Sequence, residues 1–225
     1  RSDALSLIAI QGPNAEKTLK KLTNIDLGAI KYYHFAHGKV NGADMMVSRT
    51  GYTGEPGFEL CVENEHAAGL WNALVDAGKE FNVKPIGLGA RDTLRLEMGY
   101  SLYGHEIDET TNPIEAGLGW ITKIDKGEFN GKQTCVAAKQ NPTRKLVGFV
   151  LENKLIPRQG FEILDEKGNK IGHVCSGTMS PSTEKPIGTG YVDAPCAAVG
   201  SRIFIQIRGK NEPALVVKMP FYKKA

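Results

Sequence analysis

The sequence of 225 residues is 41% hydrophobic, 24% charged and 8% aromatic, which excludes a disordered, collagen-like or coiled-coil protein. No apolar run approaches the roughly 20 residues needed to span a bilayer, so we expect no membrane association. The net charge is only +3, and the 28 basic residues are scattered among 25 acidic ones, so nucleic acid is not an expected partner. The length predicts one large domain or two smaller ones.

Potential metal ligands are poorly grouped in the sequence. The four cysteines are far apart and include no C-x-x-C pair: Cys61, Cys135, Cys175 and Cys196. His34 and His37 are three residues apart, but no third ligand with matching spacing accompanies them. We therefore expect no metal, and in a chain of this size without secretory features we expect reduced thiols.

The start of the sequence is unusual. Its first residue is Arg1 rather than methionine, and an apolar run typical of a buried strand follows at residues 5–10. We therefore expect the sequence to be a piece of a longer chain, with the missing part upstream of this strand. Absent targeting signals then carry no information.

Up to Pro142 the sequence alternates between short strands and helices. The predicted strands span residues 5–10, 45–48 and 58–62, and the predicted helices follow residue 12 and span 64–75, 89–98 and 132–139. Pro13 is suited to the first position of its helix. Asn64 is suited to the N-cap of the next helix, in which Leu70, Trp71 and Leu74 recur at helical spacing.

Beyond Pro142 the pattern changes to closely spaced strands and turns, with little helix. Just before this change, residues 112–115 (Asn-Pro-Ile-Glu) combine an N-cap residue, a proline and a glutamate at the positions typical of a helix start. The later strands are predicted at residues 146–151, 161–164, 171–175, 190–192, 203–207 and 214–218. We therefore predict an α+β domain over residues 1–142 and an all-β barrel or sandwich over residues 143–225.

Residues 49–57 (Arg-Thr-Gly-Tyr-Thr-Gly-Glu-Pro-Gly) form the most unusual segment of the sequence. Its glycines allow a sharp turn and the close approach of a ligand to the backbone, but they are also typical of an ordinary turn between strands. A carboxylate on a rigid strand, such as Glu59, can accept paired hydrogen bonds from an N–C–N–H edge, and Arg91 can bind a carboxylate. On the residues alone, an internal Glu–Arg ion pair or a solvated face is the favoured explanation of Glu59 and Arg91, and ligand binding stays open as the alternative.

Residues 48–60 resemble the signature of the T-protein family of the glycine cleavage system. Further motifs of that family follow the same order along the chain, at residues 7–13, 89–97, 102–108, 171–177, 190–192 and 218–221. The resemblance implies an α+β folate-binding domain, incomplete at its N-terminus, followed by a small all-β barrel of Greek-key type.

The resemblance also implies an activity. Members of this family are aminomethyltransferases that act on an aminomethyl group carried by lipoylated H-protein, release ammonia and pass the methylene to tetrahydrofolate. By motif, Glu59 is expected to bind the pterin edge, Arg91 to help hold the folate and Tyr52 to line the pocket, and Tyr222 is the nearest candidate for a C-terminal aromatic contact. The catalytic aspartate of the family lies upstream of anything in this sequence, so we expect no catalytic residue here and little activity from the chain alone.

Three alternatives remain at this stage. One is another folate-dependent enzyme on the same scaffold, such as a demethylase or the folate lobe of a dimethylglycine or sarcosine dehydrogenase. A second is a non-enzymatic folate-binding protein that supports iron–sulfur cluster maintenance, although that group typically has a cysteine in its glycine loop, and residues 51–54 contain none. The third is a fragment without independent function. A bacterial cytoplasmic location is favoured over the mitochondrial matrix.

Overall fold

The structure is a computed structural model that describes residues 1–223. The chain divides into two compact units, the first spanning residues 1–91 and the second beginning at Asp92. The domain boundary predicted near Pro142 rests on a change of sequence pattern and stays a prediction, and the last two residues of the predicted second domain, Lys224 and Ala225, lie outside the described residues.

The first unit is built on a four-stranded antiparallel sheet. Its elements are β1 (Leu5–Gln11), α1 (Ala15–Lys20), β2 (Phe35–Val40), β3 (Ala43–Ser48), β4 (Gly57–Glu63), α2 (Asn64–Ala77) and the start of α3 (Leu88–Glu97). The strand order is β1-β4-β3-β2. Glu59 in β4 therefore lies between two neighbours, opposite Ala9 on β1 and Ser48 on β3.

Alternation along the strands separates the two faces of this sheet. Apolar side chains of one face pack with residues of α1 and α2 in a buried core that includes Ile10, Leu19, Val47, Phe58, Leu60, Leu70 and Leu74. The opposite face carries Glu59, which is half-buried, and the exposed Leu7 and Phe35. The polar residue that the sequence singled out thus lies on the face away from the core.

The second unit contains a closed antiparallel barrel. Its elements are the end of α3, α4 (Lys132–Gln140), β5 (Arg144–Leu151), β6 (Glu162–Leu164), β7 (Lys170–Met179), β8 (Pro186–Asp193), β9 (Arg202–Ile207) and β10 (Lys210–Val217). The six strands follow the order β10-β5-β8-β7-β6-β9 before the barrel closes. Its interior is filled by β-branched and aromatic side chains, among them Phe149, Ile163, Ile205 and Val216. The predicted α+β part followed by a small all-β barrel is confirmed.

The helix predicted to begin at residues 112–115 is wrong. Residues 113–117 form turns instead, and the Asn112 side chain accepts a hydrogen bond from the Ile114 amide at 2.9 Å. An asparagine before a proline favours such a local turn as readily as a helix cap. Gly117 then adopts a φ of +75°, which stops helical winding after little more than one turn.

Three smaller expectations about helices also differ from the structure. Helix α1 begins at Ala15, so Pro13 lies in the preceding turn rather than at the first helical position. Asn64 is the first residue of α2 rather than its N-cap, because its side chain accepts from Ser6 Oγ and donates to the Asp3 carbonyl. Trp71, expected on the inner side of α2, is 43% exposed.

Candidate functional site

The glycine-rich loop connects β3 to β4 in the first unit, and Arg49 anchors its start. The Arg49 guanidinium donates to the carbonyls of Ile30 and Leu27, both at 2.6 Å, and lies 4.6 Å from the centre of the Phe58 ring. It also pairs with Glu16 at 2.9 Å. A planar guanidinium with several donors suits this role, because it satisfies two backbone carbonyls and a carboxylate at once.

Glu59 follows this loop on β4. Its Oε2 atom accepts a hydrogen bond from the Thr50 hydroxyl at the other end of the loop. Within residues 1–223, Thr50 is the one hydrogen-bond donor placed on the Glu59 carboxylate. A carboxylate has about four acceptor positions, so most of its capacity is available to a ligand.

Tyr52 and Arg91 lie together in the first unit. The Arg91 guanidinium lies 4.6 Å from the centre of the Tyr52 ring, a cation–π arrangement. Tyr52 is half-buried, whereas Arg91 is exposed in the first turns of α3. The stacking holds a guanidinium in a fixed orientation while its edge stays accessible, which suits recognition of a carboxylate.

Tyr222, the fourth predicted site residue, belongs to the second unit. Its amide donates to the Glu97 carbonyl at 3.2 Å, and the Phe221 amide donates to the same carbonyl at 2.9 Å. The Glu97 side chain in turn accepts from the hydroxyls of Ser180 and Ser182, at 2.6 and 2.7 Å. The C-terminal segment is therefore attached to the end of α3, which is itself fixed to the loop after β7.

Gln11, at the end of β1, was given no role by the sequence. Its Nε2 donates to the carbonyls of Thr50 and Phe58, at 3.2 and 3.3 Å, and its Oε1 accepts from the Thr53 hydroxyl at 3.2 Å. The side chain therefore lies inside the glycine loop. The signal that could have revealed it is the recurrence of glycine at 51 and 57, where a Cβ would overlap the Gln11 side chain.

The second unit contains a separate, fully buried polar network. Arg95 and Glu106 are each 1% exposed and paired at 3.0 Å, and Arg95 also donates to Ser176 Oγ at 2.7 Å. The Glu106 carboxylate also accepts hydrogen bonds from the Thr189 hydroxyl and the Leu102 amide. Arg91 and Arg95 are four residues apart on α3, but only Arg91 is accessible, because Arg95 is enclosed by its partners.

A cavity of about 220 Å³ lies on the barrel wall and is lined by Arg144, Lys170, His173, Tyr191 and Asp193, with neighbouring backbone. Its two cationic side chains are already engaged, Arg144 by Glu115 at 3.0 Å and Lys170 by Glu162 at 2.8 Å. Burial, with the charges of Arg144 and Lys170, lowers the pKa of His173 below its ordinary 6.5. This cavity therefore offers little free positive charge to an anion.

Two negative findings concern the described part of the chain. Residues 1–223 contain no cluster of three or more His, Cys, Asp or Glu side chains arranged to hold a metal ion. Over the same range, every helix is too short or too polar to cross a bilayer.

The four cysteines are free thiols, and burial beside Glu106 raises the pKa of Cys175 to about 12.

An α+β unit that carries an accessible carboxylate, together with a six-stranded antiparallel barrel, matches two family models. The model of the GCVT N-terminal domain matches residues 1–126, and the model of the glycine cleavage T-protein C-terminal barrel domain matches residues 144–223. The chain therefore belongs to the glycine cleavage T-protein family, as its motifs predicted.

Individual relatives agree with this assignment. The chain is 62% identical over 224 residues to a protein from Chloroherpeton thalassium named aminomethyltransferase, and 52% identical to one of the same name from Flavobacterium psychrophilum. It also resembles the crystal structure of the glycine cleavage system aminomethyltransferase T from Bartonella henselae, with a TM-score of 0.88 and 32% identity over 97% of this chain and 60% of that one. The chain spans 62% of the length of both curated relatives.

Proposed function

We propose that this chain is the folate-binding and barrel portion of an aminomethyltransferase of the glycine cleavage system. The complete enzyme transfers the methylene of an aminomethyl group on lipoylated H-protein to tetrahydrofolate and releases ammonia. The observation that carries this proposal is the Glu59 carboxylate, held by Thr50 on the accessible face of the sheet with acceptor capacity to spare. Family membership and the names of the relatives support the same reaction.

Each proposed site residue has a chemical role that fits its surroundings. Glu59 accepts parallel hydrogen bonds from the N–C–N–H edge of the pterin. Arg91, oriented by Tyr52, binds a carboxylate of the folate tail, and the Tyr52 ring forms part of the pocket wall. Tyr222, on the C-terminal segment that Glu97 holds in the second unit, stays the candidate for the aromatic folate contact of the family.

Catalysis in this proposal depends on proximity and electrostatics. The folate nitrogen is held against the aminomethyl carbon, while a carboxylate assists proton movement. We assign that carboxylate to none of the 225 residues. In this proposal the chain binds and orients the folate, and the reaction uses no metal.

We also propose domains over residues 1–142 and 143–225. A location in a bacterial cytoplasm is proposed as well, which the bacterial origin of the relatives supports.

Calorimetric titration of tetrahydrofolate into the 225-residue chain tests the proposal. We expect saturable binding, and we expect Glu59→Ala to weaken it at least tenfold, about 1.4 kcal/mol, because the pterin edge loses its acceptor. Glu63→Ala is the matched control, since Glu63 lies four residues further along β4 on the same face, where it pairs with Arg1. Failure to bind, or equal weakening by both substitutions, would contradict the proposed site.

The reaction itself needs a second test, because a demethylase on this scaffold would also bind folate. The chain is fused to the part of the Chloroherpeton thalassium relative that it does not match, and ammonia release is assayed with and without lipoylated H-protein. Release that depends on H-protein supports the aminomethyltransferase. Release from a small methylated amine without H-protein would favour the other enzyme.

A further inference from the structure

We infer that Gln11 is a positioning residue that sets the conformation of the glycine loop and, through it, the ligand-facing groups Glu59 and Tyr52. The effect on the loop stands on the described contacts alone. The effect on folate rests on the function proposed above. Gln11 would touch no substrate. Its side chain fills the space enclosed by residues 50–57 and forms hydrogen bonds within this loop.

The Gln11 side chain occupies the space beside two glycines of the loop. A Cβ at Gly51 would overlap the Gln11 carboxamide oxygen, and a Cβ at Gly57 would lie 2.5 Å from Gln11 Nε2 and 2.5 Å from the Ile10 carbonyl. Neither glycine has a positive φ, whereas Gly54 has a φ of +77°. Gly54 is thus needed for the turn, and the other two are needed to make room for Gln11.

The Gln11 carboxamide also forms hydrogen bonds across the loop. Nε2 donates to the Thr50 carbonyl before the turn and to the Phe58 carbonyl after it, while Oε1 accepts from the Thr53 hydroxyl at the tip. One side chain therefore joins both sides and the tip of the loop. Only an amide offers donors and an acceptor together at this size, since a glutamate would direct negative charge at carbonyl oxygens.

Two residues of the loop connect Gln11 to the proposed site. Thr50, whose carbonyl Gln11 fixes, also donates its hydroxyl to Glu59 Oε2. Tyr52, which stacks with Arg91, lies between the two residues that Gln11 bonds, Thr50 and Thr53. Loss of the Gln11 contacts therefore releases the hydroxyl that orients Glu59 and the ring that orients Arg91.

Amide hydrogen exchange in the ligand-free chain tests the effect on the loop. We expect Gln11→Leu and Gln11→Glu to speed exchange of the amides in residues 51–57 at least tenfold and to shift the ring resonances of Tyr52. Exchange in α2 should stay unchanged, which separates positioning from a general loss of stability. Gln206→Leu, at an exposed position on β9, is the matched control. Unchanged loop exchange, or equal acceleration in α2, would overturn the inference.

A double-mutant cycle tests the steric part. Gly51→Ala should disturb the loop strongly in the wild-type background, because the new methyl group has no space beside Gln11. In a Gln11→Ala background the same substitution should add little, because the space is vacant. Equal effects of Gly51→Ala in both backgrounds would show that Gln11 does not fill this position.

Tetrahydrofolate titration completes the test. We expect Gln11→Leu to raise the dissociation constant at least tenfold without changing the thermal midpoint of the barrel. If wild type binds and the variant binds equally well, the effect on folate is wrong even where the loop has changed. If wild type does not bind but the loop exchanges faster in the variant, the proposed function and the folate effect fail, while the effect of Gln11 on the loop stands.

Discussion

Two glutamates, Glu59 in the first unit and Glu106 in the second, illustrate how the same side chain is used in opposite ways. Glu106 is 1% exposed, and its carboxylate is bonded by Arg95, Thr189 and the Leu102 amide. Glu59 is only half-buried and accepts from Thr50. One carboxylate is satisfied by the fold, and the other keeps most of its acceptor capacity.

The difference identifies which charged groups can serve a ligand. A buried ionised group must be paired, because desolvation makes an unpaired charge very costly, so a saturated glutamate has nothing left to offer. A carboxylate on an accessible strand that accepts from a single neutral hydroxyl is oriented with little desolvation cost. It can still accept hydrogen bonds from a ligand. The same contrast separates Arg95 from Arg91 on α3.

The largest effect is expected from Arg95→Met, which leaves Glu106 charged and buried without its cation. We expect this substitution to lower the free energy of unfolding by about 3–5 kcal/mol. Guanidinium-induced unfolding measured by circular dichroism checks it. Arg202→Met is the matched control, because Arg202 and Glu152 form a pair about half exposed to solvent, worth at most about 1 kcal/mol. Similar losses in the two variants would remove the distinction between saturated and open carboxylates.

A smaller effect is expected from Tyr191→Phe. The buried Tyr191 hydroxyl donates to the Glu106 carbonyl at 2.8 Å, and its removal should cost about 1 kcal/mol while the ring stays packed under Arg144. The same denaturation experiment measures it. Tyr103→Phe, at a side chain that is 69% exposed, should change nothing measurable. A Tyr191→Phe variant as stable as wild type would show that this carbonyl needs no partner.

The third prediction concerns His173, at the barrel cavity. Arg144 and Lys170 face it and, with burial, lower its pKa, while the charge of Asp108 acts in the opposite direction. The unfolded chain then binds a proton at a higher pH than the folded chain does, so stability falls as the pH drops below about 6.5.

Urea unfolding at pH 7.5, 6.5 and 5.5 checks this prediction. Wild type should lose more stability across the interval than His173→Gln, because the variant has no imidazole to protonate in the unfolded state. His66→Gln on α2 is the control, at a side chain that is 47% exposed and lies 3.3 Å from Glu65. Parallel profiles for wild type and His173→Gln would contradict the prediction.

The smallest effect on stability is expected at Glu59. Because Glu59 is half-buried and accepts from the neutral Thr50 hydroxyl, Glu59→Gln should change the free energy of unfolding by no more than about 0.5 kcal/mol. Denaturation of wild type and variant in parallel measures the difference. A loss comparable with that of Arg95→Met would place Glu59 among the structural carboxylates.

The barrel was the most predictable part of the fold. Alternation of Ile203, Ile205 and Ile207 with more exposed neighbours is preserved in β9, because one side of each strand faces the packed interior. Strand β2 was not predicted, because five of its six residues are exposed or partly buried and it therefore has no strong apolar pattern. The helix predicted to begin at Asn112 is absent, because an asparagine before a proline is typical of a local turn as well as of a helix N-terminus.

The candidate site was predictable only in part. Glu59 and Arg91 could be singled out as residue types with useful chemistry, and the family motifs supplied their expected roles. Glycine at 51 and 57 indicates that a side chain needs space there, but the sequence does not show that this side chain is Gln11, because the contacts join residues about 40 positions apart. The burial of Arg95 likewise depends on Ser176 and Glu106, which no local pattern connects to it.

The long sequence separation within the buried network has a consequence for synthesis of the chain. Arg95 and Ser176 are 81 positions apart, and Glu106 and Thr189 are 83 apart. At roughly 5–20 residues per second, the ribosome adds the distant partners several seconds after the two charged residues. Until strands β7 and β8 have left the exit tunnel, Arg95 and Glu106 must remain hydrated. The end of α3 therefore reaches its native environment only after most of the barrel has been translated.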